Sequence, residues 1–448
     1  MTILPKLFLL QLKKVSECQI YLPNTKEYKN KVQVYNRAIK NFPLAVVEPY
    51  NKNDVVALVR LANKYRVRFC VKGGGHNTAG SSVQTGTLVI DMSKFKRIGI
   101  NPLEKRVIVE AGVLNNELDD ACEPYQLALP LGTCNSVGVV GSTLGGGVGF
   151  LSRKFGLVID NVIKFEIVTG QGKLLNVTKE NHSDLFWGLR GAGAGHYGVV
   201  ISIDYKLWKI PQKVYGGTIS WSLSAGKKVL THYFNVMKEA DTSTFLYAYA
   251  GPSESGQASV SVFGICLQSK EKSKALFDSF LALAKPIEKN IGFRSYYELQ
   301  SAHYNEGLAI YWKNKFVKGH PIELVDCIVN AMSECPENMG GIMLDPMGGA
   351  IKNLTKNETA FIHRENDYIL SCTGIYSNDY VPKKIKQWVN KSMQEFGGYC
   401  QSTSYQNYED QEASDHNQYF SHHSARLSKL KKKYDPHNLI YGILSKSK

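Results

Sequence analysis

Two glycine-rich stretches of the sequence surround a histidine and a cysteine, residue types that can form covalent bonds as nucleophiles. The first stretch, residues 71–80, reads Val-Lys-Gly-Gly-Gly-His-Asn-Thr-Ala-Gly and carries His76. Its glycines can adopt positive φ and bring the backbone close to a ligand, and successive N–H groups in such a turn form an anion-binding nest. The second stretch, residues 132–150, carries Cys134. Taken singly, the two residues could also be an incidental histidine in a surface turn and a buried core cysteine.

To form covalent bonds with a ligand, His76 would need a neutral imidazole and Cys134 would need a thiolate. A thiolate forms more readily near cations or at the N-terminus of a helix. The run Gly-Gly-Gly-Val-Gly at residues 145–149 follows the cysteine. We therefore expect the backbone N–H groups of this run to stabilise the thiolate of Cys134.

Together the two stretches resemble the flavoenzymes of the vanillyl-alcohol-oxidase superfamily, and more closely their berberine-bridge-enzyme-like branch, which includes the oligosaccharide oxidases. In that branch a Gly-Gly-His motif bonds through histidine to the flavin 8α-methyl group. A Gly-x-Cys-x-x-Val-Gly-x-x-Gly motif bonds through cysteine to ring carbon 6. The resemblance is dense over residues 43–207 and returns at 405–441, and it implies FAD attached covalently at both His76 and Cys134.

The resemblance also implies a wider set of cofactor-binding residues, most of them in the two glycine stretches. The set is Lys72, Gly73, Gly74, Gly75, Asn77, Gly80, Gly132, Thr133, Val137, Gly138, Gly141, Ser142, Gly145, Gly146, Gly149, Gly198, Val200 and Asn438. The sequence departs from the family pattern in two places. Lys72 stands where many relatives have arginine, and the C-terminus from residue 441 lacks the usual ending near the flavin.

Candidate substrate-handling residues follow from the same resemblance. The family's base is commonly a tyrosine in a Tyr-x-Asn-Tyr stretch, and residues 405–408 read Tyr-Gln-Asn-Tyr. We expect Tyr408 to be the general base and Tyr405 to shape the pocket. Residues three apart in an extended segment point to opposite faces, so the chain must bend at residues 406–407 to bring both rings together. Asp345 matches a substrate-site aspartate of the oligosaccharide oxidases, although a plain turn residue is the alternative.

A tyrosine base also sets an electrostatic requirement. The ordinary pKa of tyrosine is ~10, so nearby positive charge or hydrogen bonds must lower it for work near neutrality.

The resemblance implies an FAD-dependent oxidase that moves a hydride from an alcohol, either a sugar hemiacetal or a natural-product hydroxyl, to flavin N(5), with dioxygen as acceptor. A flavin dehydrogenase with another acceptor and a non-catalytic binding protein with a basic surface remain alternatives.

The alternation of strand-like and helical runs predicts an α+β fold. The resemblance divides it into a two-part PCMH-type FAD-binding domain at 1–209, a substrate domain at 210–398 with an antiparallel sheet covered by helices, and a returning C-terminal segment at 399–448. The first domain should contain a helix at 53–64 capped by Asn53 or Asp54. In the second we expect strands at 217–221, 245–250, 258–266, 341–345 and 368–376 and helices at 225–239, 270–284, 322–332 and 382–396.

A third glycine run, residues 191–198, contains Gly-x-Gly-x-x-Gly, which in a dinucleotide-binding turn follows a strand and opens a helix. Here the pattern predicts a helix before it and a strand after it, so we reject that interpretation. A protein kinase is also rejected, because the other kinase motifs do not follow.

The amino-acid composition limits the kinds of partner that the protein is expected to bind. The 448 residues are 43% apolar and 21% charged with a net charge of +15, and no apolar run approaches the ~20 residues that span a bilayer. The lysines are scattered and accompany no nucleic-acid motif. Nine cysteines without C-x-x-C pairs argue against a disulfide scaffold or a metal site. We expect a cytoplasmic monomer or weak homodimer, with secretion possible, that acts on a small molecule and binds no membrane, nucleic acid or metal.

Overall fold

The structure, a computed structural model, describes residues 3–15, 17–301, 307–377, 379–408, 412 and 417–445. Up to residue 210 the strands are β1 (Gln19–Tyr21), β2 (Ala45–Glu48), β3 (Phe69–Lys72), β4 (Leu88–Asp91), β5 (Ile98–Asn101), β6 (Arg106–Glu110), β7 (Leu127–Ala128), β8 (Val162–Thr169), β9 (Leu174–Val177), β10 (Gly198–Lys206) and β11 (Trp208–Lys209). The helices of this part are α1 (Ile3–Val15), α2 (Lys26–Lys31), α3 (Lys52–Tyr65), α4 (Asn115–Cys122), α5 (Val139–Leu144), α6 (Ser152–Phe155) and α7 (Ser183–Ala192).

Two sheets organise this first part. One has four strands in the order β1-β2-β4-β3, in which β2, β4 and β3 are parallel and β1 is antiparallel to β2. The other is antiparallel with the order β5-β6-β10-β8-β9. The first glycine stretch leaves the end of β3. The third glycine run follows α7 and leads into β10, which confirms that it is not a dinucleotide-binding turn.

The start of α3 corrects the predicted cap. Asn51, not Asn53 or Asp54, is the N-cap: its Oδ1 accepts hydrogen bonds from the N–H groups of Asn53 at 2.9 Å and Asp54 at 3.2 Å. Asp54 instead accepts the N–H of Asn51 at 3.1 Å. Both residues belong to a capping box, in which the acidic residue stands three positions after the cap.

The second part is built on a seven-stranded sheet. Its strands are β12 (Val214–Ser222), β13 (Thr244–Pro252), β14 (Ala258–Cys266), β15 (Glu288–Arg294), β16 (Ala309–Val317), β17 (Gly340–Pro346) and β18 (Tyr368–Tyr376), in the order β15-β12-β14-β13-β17-β18-β16. All neighbouring strands are antiparallel. The helices are α8 (Gly226–Glu239), α9 (Lys270–Leu281), α10 (Tyr296–Gln300), α11 (Leu324–Ser333) and α12 (Lys383–Glu395), followed by α13 (Asn417–Phe420) and α14 (Ser424–Tyr434). None of the helices described is long and apolar enough to cross a membrane.

These elements confirm the α+β fold with an antiparallel sheet covered by helices. The predicted strands and helices of this part are present, with ends that shift by a few residues. Strands β15 and β16 are additional to the prediction. The domain boundaries at 209/210 and 398/399 stay a prediction.

The two faces of the large sheet have different neighbours. Leu344 and Leu370 belong to a core shared with α8, α11 and α12. Phe316 and Ile369 lie on the other face and join the core of the first part. Asp345 is directly opposite Ile369 in the register, so it shares that face. The sheet therefore presents Asp345 toward the part of the chain that carries the glycine stretches.

The C-terminal segment returns to the first part beside β3. The N–H of Phe69 donates to the carbonyl of Leu439 at 2.8 Å, and the N–H of Tyr441 donates to the carbonyl of Phe69 at 2.8 Å. Residues 439–441 thus extend along the strand that leads into the first glycine stretch.

Candidate active site

The two glycine stretches meet in direct backbone contact. A Cβ added to Gly74 would lie 2.5 Å from the nitrogen of Gly138, and one added to Gly138 would lie 2.7 Å from the nitrogen of Gly74. No real Cβ tolerates such distances, so only glycine allows the approach. Gly75 and Gly80 have φ near +70°, the left-handed region that glycine adopts without strain. The glycines bring loops that are some 60 residues apart in the sequence to one place.

This contact brings His76 and Cys134 to a common neighbour. His76 Nε2 lies 2.8 Å from the hydroxyl of Ser136, and Cys134 Sγ lies 3.9 Å from the same hydroxyl. The ring of Tyr35 stacks on His76 with the centroids 4.2 Å apart. Burial lowers the pKa of His76 to about 4, so its imidazole is neutral at physiological pH. No sequence motif singled out Ser136 or Tyr35 as part of the site.

The glycines at 145–149 do not serve Cys134 as expected. Their N–H groups have other acceptors: Gly145 donates to the carbonyl of Ser142, Gly146 to that of Thr143, Gly147 to the Tyr405 hydroxyl and Gly149 to the Ser152 hydroxyl. The expectation that they stabilise the thiolate is therefore wrong. These glycines instead allow the tyrosine-bearing segment to pack closely, because a Cβ on Gly145 would collide with Oδ1 of Asn407.

The other predicted cofactor residues lie in several places. The ammonium group of Lys72 interacts with protein groups: its Nζ lies 3.4 Å from Asp91 Oδ2 and donates a hydrogen bond to the carbonyl of Lys31 at 2.8 Å. The side chain of Asn77 accepts a hydrogen bond from the N–H of Ser81, and Gly141 has open space beside it. Gly198 and Val200 lie in β10, which pairs with β8. Asn438 is exposed in the turn after α14. Gly73, Gly132, Thr133, Val137, Ser142, Gly146 and Gly149 lie in or beside the two stretches that meet. Their roles toward a cofactor stay predictions.

The side chains at the contact between the two glycine stretches have the chemistry that a covalently bound flavin requires. Bonding to two positions on one ring needs a neutral imidazole and a thiol close together, and both are within 4 Å of the Ser136 hydroxyl. A surrounding made of glycine backbone leaves no side chains in the path of a flat ring. His76 and Cys134 would hold the cofactor, and the glycine loops would flank it.

The tyrosine segment bends as predicted. Residues Gln406–Tyr408 form a single 3₁₀ turn. The rings of Tyr405 and Tyr408 meet edge to face with centroids 5.1 Å apart. Tyr405 is fully buried, and its hydroxyl accepts hydrogen bonds from Gly147 N–H at 2.9 Å and from Asn407 Nδ2 at 2.8 Å. Burial raises the pKa of Tyr405, so this phenol stays protonated and holds the turn on the glycine run.

Tyr408 reaches the predicted aspartate. Its hydroxyl lies 3.5 Å from Oδ1 of Asp345, and its ring stacks on Trp312 at 4.5 Å. Asp345 is 1% exposed, and burial raises its pKa to about 8. Asp345 Oδ2 and Trp312 Nε1 have no hydrogen-bond partner within the described chain. An acceptor and a donor beside Tyr408 are therefore available to a polar ligand.

Asn314 in β16 holds the turn, and the sequence analysis missed it. Its Oδ1 accepts the N–H of Tyr405 at 2.6 Å, and its Nδ2 donates to the carbonyl oxygens of Tyr408 at 2.8 Å and Tyr405 at 3.3 Å. Trp312 lies two residues earlier on the same face of the strand, where it packs on the Tyr408 ring. One strand thus fixes both the backbone and the side chain of the tyrosine turn.

Comparison with known proteins supplies the class. The FAD binding domain family matches residues 43–178, and the family described as berberine and berberine like matches residues 404–441. An FAD-linked oxidoreductase of Dictyostelium discoideum is 29% identical over 431 residues, which cover 94% of this chain and 92% of the relative. The (R)-6-hydroxynicotine oxidase of Paenarthrobacter nicotinovorans is 26% identical over 68% of this chain and 69% of its own length. The solved structure of Physcomitrella patens BBE-like 1 is 25% identical, with a TM-score of 0.89 over 97% of this chain and 99% of that one.

The fold and the matched FAD binding domain define the chain as an FAD-linked oxidoreductase. Within that class, residues 404–441 match the family described as berberine and berberine like, and this segment contains the tyrosine turn and α14. The family match sets aside the alternative of a non-catalytic binding protein.

Proposed function

We propose that the chain is an oxidase that holds FAD through His76 and Cys134 and oxidises an alcohol, with dioxygen as the electron acceptor. The observation that carries the proposal is the convergence of a neutral imidazole and a thiol on Ser136. We also propose that residues 210–398 select a small-molecule substrate and that the flanking segments hold the flavin. The scattered cysteines favour a cytoplasmic location.

The bound flavin would supply the hydride acceptor, and the protein would handle the proton. Tyr408 lies beside the two unpartnered polar atoms of Asp345 and Trp312, so a substrate hydroxyl bound there would contact the phenol. A neighbouring carboxylate can accept the proton of a phenol that hydrogen-bonds to it. We therefore propose a relay, in which Tyr408 takes the proton of the substrate hydroxyl as it passes its own proton to Asp345 in those molecules whose Asp345 is ionised, a fraction that grows as the pH approaches 8.

Peptide mapping of the purified protein tests the flavin attachment. Trypsin releases His76 in peptide 73–94 and Cys134 in peptide 107–153. Bicovalent attachment predicts one product that contains both peptides and one FAD. Recovery of all FAD as a free molecule after acid denaturation would refute the proposal.

Oxygen consumption tests the acceptor and the substrate class. A screen of reducing sugars and of aromatic and aliphatic alcohols should yield a compound that consumes oxygen and produces an equal amount of hydrogen peroxide. A compound that bleaches the flavin absorbance without oxygen uptake, while an artificial acceptor restores the colour, would favour a dehydrogenase instead.

A further inference from the structure

Gln300 ends α10 and contacts the loop that carries Cys134. The amide is 1% exposed. Its Nε2 donates hydrogen bonds to the carbonyl oxygens of Leu131 at 3.1 Å and Gly132 at 3.0 Å. Since α10 follows edge strand β15 of the seven-stranded sheet, a side chain from the proposed substrate part fixes the backbone just before the proposed flavin-linking cysteine.

Asn115 holds the same loop from the side of α4. Its Nδ2 donates to the carbonyl oxygens of Gly132 and Cys134, both at 3.0 Å, and the residue is 2% exposed. The two buried amides converge on the Gly132 carbonyl. Residues 131–134 are thus fixed between two parts of the molecule, with Ser136 and His76 on the side of the thiol.

We propose that Gln300 is a positioning residue that sets Cys134 for attachment to the flavin, an inference that rests on the proposed bicovalent function. The attachment forms a bond from Sγ to ring carbon 6 and breaks the S–H bond and the C6–H bond. Two electrons and two protons leave with dioxygen as hydrogen peroxide. The reaction requires Sγ within ~3–3.5 Å of its target, and a displacement of about 1 Å costs on the order of 100-fold in rate. Loss of both Gln300 hydrogen bonds frees the loop on one side and should permit such a displacement.

Gln300→Met tests this role, because methionine keeps the length of the side chain and removes the amide. In the peptide map, we expect peptide 73–94 of the variant to keep FAD at His76. Peptide 107–153 should be released with an unmodified Cys134 in most molecules. Gln300→Glu keeps the shape but, as a buried acid beside the Asp119 carboxyl, can donate at most one hydrogen bond in its protonated form, so it should give a partial loss. Attachment at His76 confirms in the same sample that the variant folds and binds FAD.

Tyr297→Phe is the matched control on the same helix. It removes the hydrogen bond from the Tyr297 hydroxyl to the carbonyl of Leu127, which is 2.7 Å long, and leaves residues 131–134 untouched. We expect this variant to retain both attachments. The positioning role is wrong if both Gln300 variants keep the Cys134 attachment, if they lose the His76 attachment as well, or if Tyr297→Phe loses the Cys134 attachment equally. A wild-type chain without FAD on either peptide would refute the proposed function itself.

Discussion

The hydroxyl of Tyr408 lies 3.5 Å from Oδ1 of Asp345, although the two residues are 63 positions apart in the sequence. Asp345 is fixed in β17, and Tyr408 belongs to a turn that Asn314 holds from β16. Both strands flank β18 in one antiparallel sheet. A single sheet therefore sets the distance between the proposed base and its proposed proton acceptor, while the glycine stretches lie across from that face.

Tyr408→Phe should slow reduction of the flavin by the substrate by ~10²–10⁴-fold, the usual contribution of a general base. The flavin should remain attached, because the ring still packs on Trp312. Anaerobic stopped-flow with the best alcohol from the oxygen screen measures the rate. Tyr28→Phe removes a hydroxyl that donates to the carbonyl of Pro43, far from this turn in the sequence, and serves as the control. Equal rates for wild type and Tyr408→Phe would exclude the role of base.

Asp345→Asn should change how the stability depends on pH. Burial raises the pKa of Asp345 from 3.8 to about 8, so between these values the folded chain keeps a proton that the unfolded chain has lost. A rising pH therefore lowers the free energy of unfolding across this window, by up to ~1.4 kcal/mol per pH unit. The variant lacks this pH-dependent loss. Its free energy of unfolding should therefore increase relative to that of the wild type as the pH rises from 5 to 8. Urea unfolding at several pH values measures the difference, and parallel profiles would contradict the shifted pKa.

The glycine stretches and their histidine and cysteine could be found from the sequence because glycine and nucleophilic side chains form local motifs. Asn314 and Gln300 could not, because each amide bonds to backbone groups of a distant segment, and no local pattern marks such contacts. Strand β16 was also missed. Its centre reads Lys-Asn-Lys, and residues of these types are depleted in strands. Among the N–H groups at 145–149, that of Gly147 likewise has a distant acceptor, the hydroxyl of Tyr405, which no local pattern marks.

Gly145→Ala should prevent the tyrosine turn from docking. The new Cβ would collide with Oδ1 of Asn407, whose Nδ2 bonds to the carbonyl of Ser142 and to the Tyr405 hydroxyl, both at 2.8 Å. We expect slower flavin reduction and lower thermal stability. Gly99→Ala, at an exposed position of β5, is the control, because nothing lies within 4 Å of its added Cβ.

A second substitution tests whether the collision with Asn407 causes the defect of Gly145→Ala. Asn407→Ala combined with Gly145→Ala removes the colliding oxygen and should recover part of the thermal stability that the single Gly145 variant loses. If the double variant is no more stable than Gly145→Ala alone, the collision with Asn407 is not the cause of the defect.

Lys431→Met should destabilise the return of the C-terminal segment to the flavin-binding part. Lys431 is 6% exposed, and its Nζ lies 2.8 Å from Asp435 Oδ2 and donates to the carbonyl oxygens of His196 at 3.1 Å and Ile440 at 3.0 Å. The substitution leaves the buried Asp435 carboxylate without its cation, which typically costs about 3–5 kcal/mol of unfolding free energy.

Lys433→Met on the same helix is the control for the loss of charge. Lys433 pairs with Asp184, but their side chains are 59% and 38% exposed, and such surface pairs contribute only about 0–1 kcal/mol. Urea denaturation of the two variants should therefore differ by several kcal/mol, although each loses one lysine from α14. If both variants unfold at the same urea concentration, the Lys431–Asp435 pair does not hold the C-terminal segment in place. A gain in stability from Lys431→Met would show instead that the buried charge is a net cost to the fold.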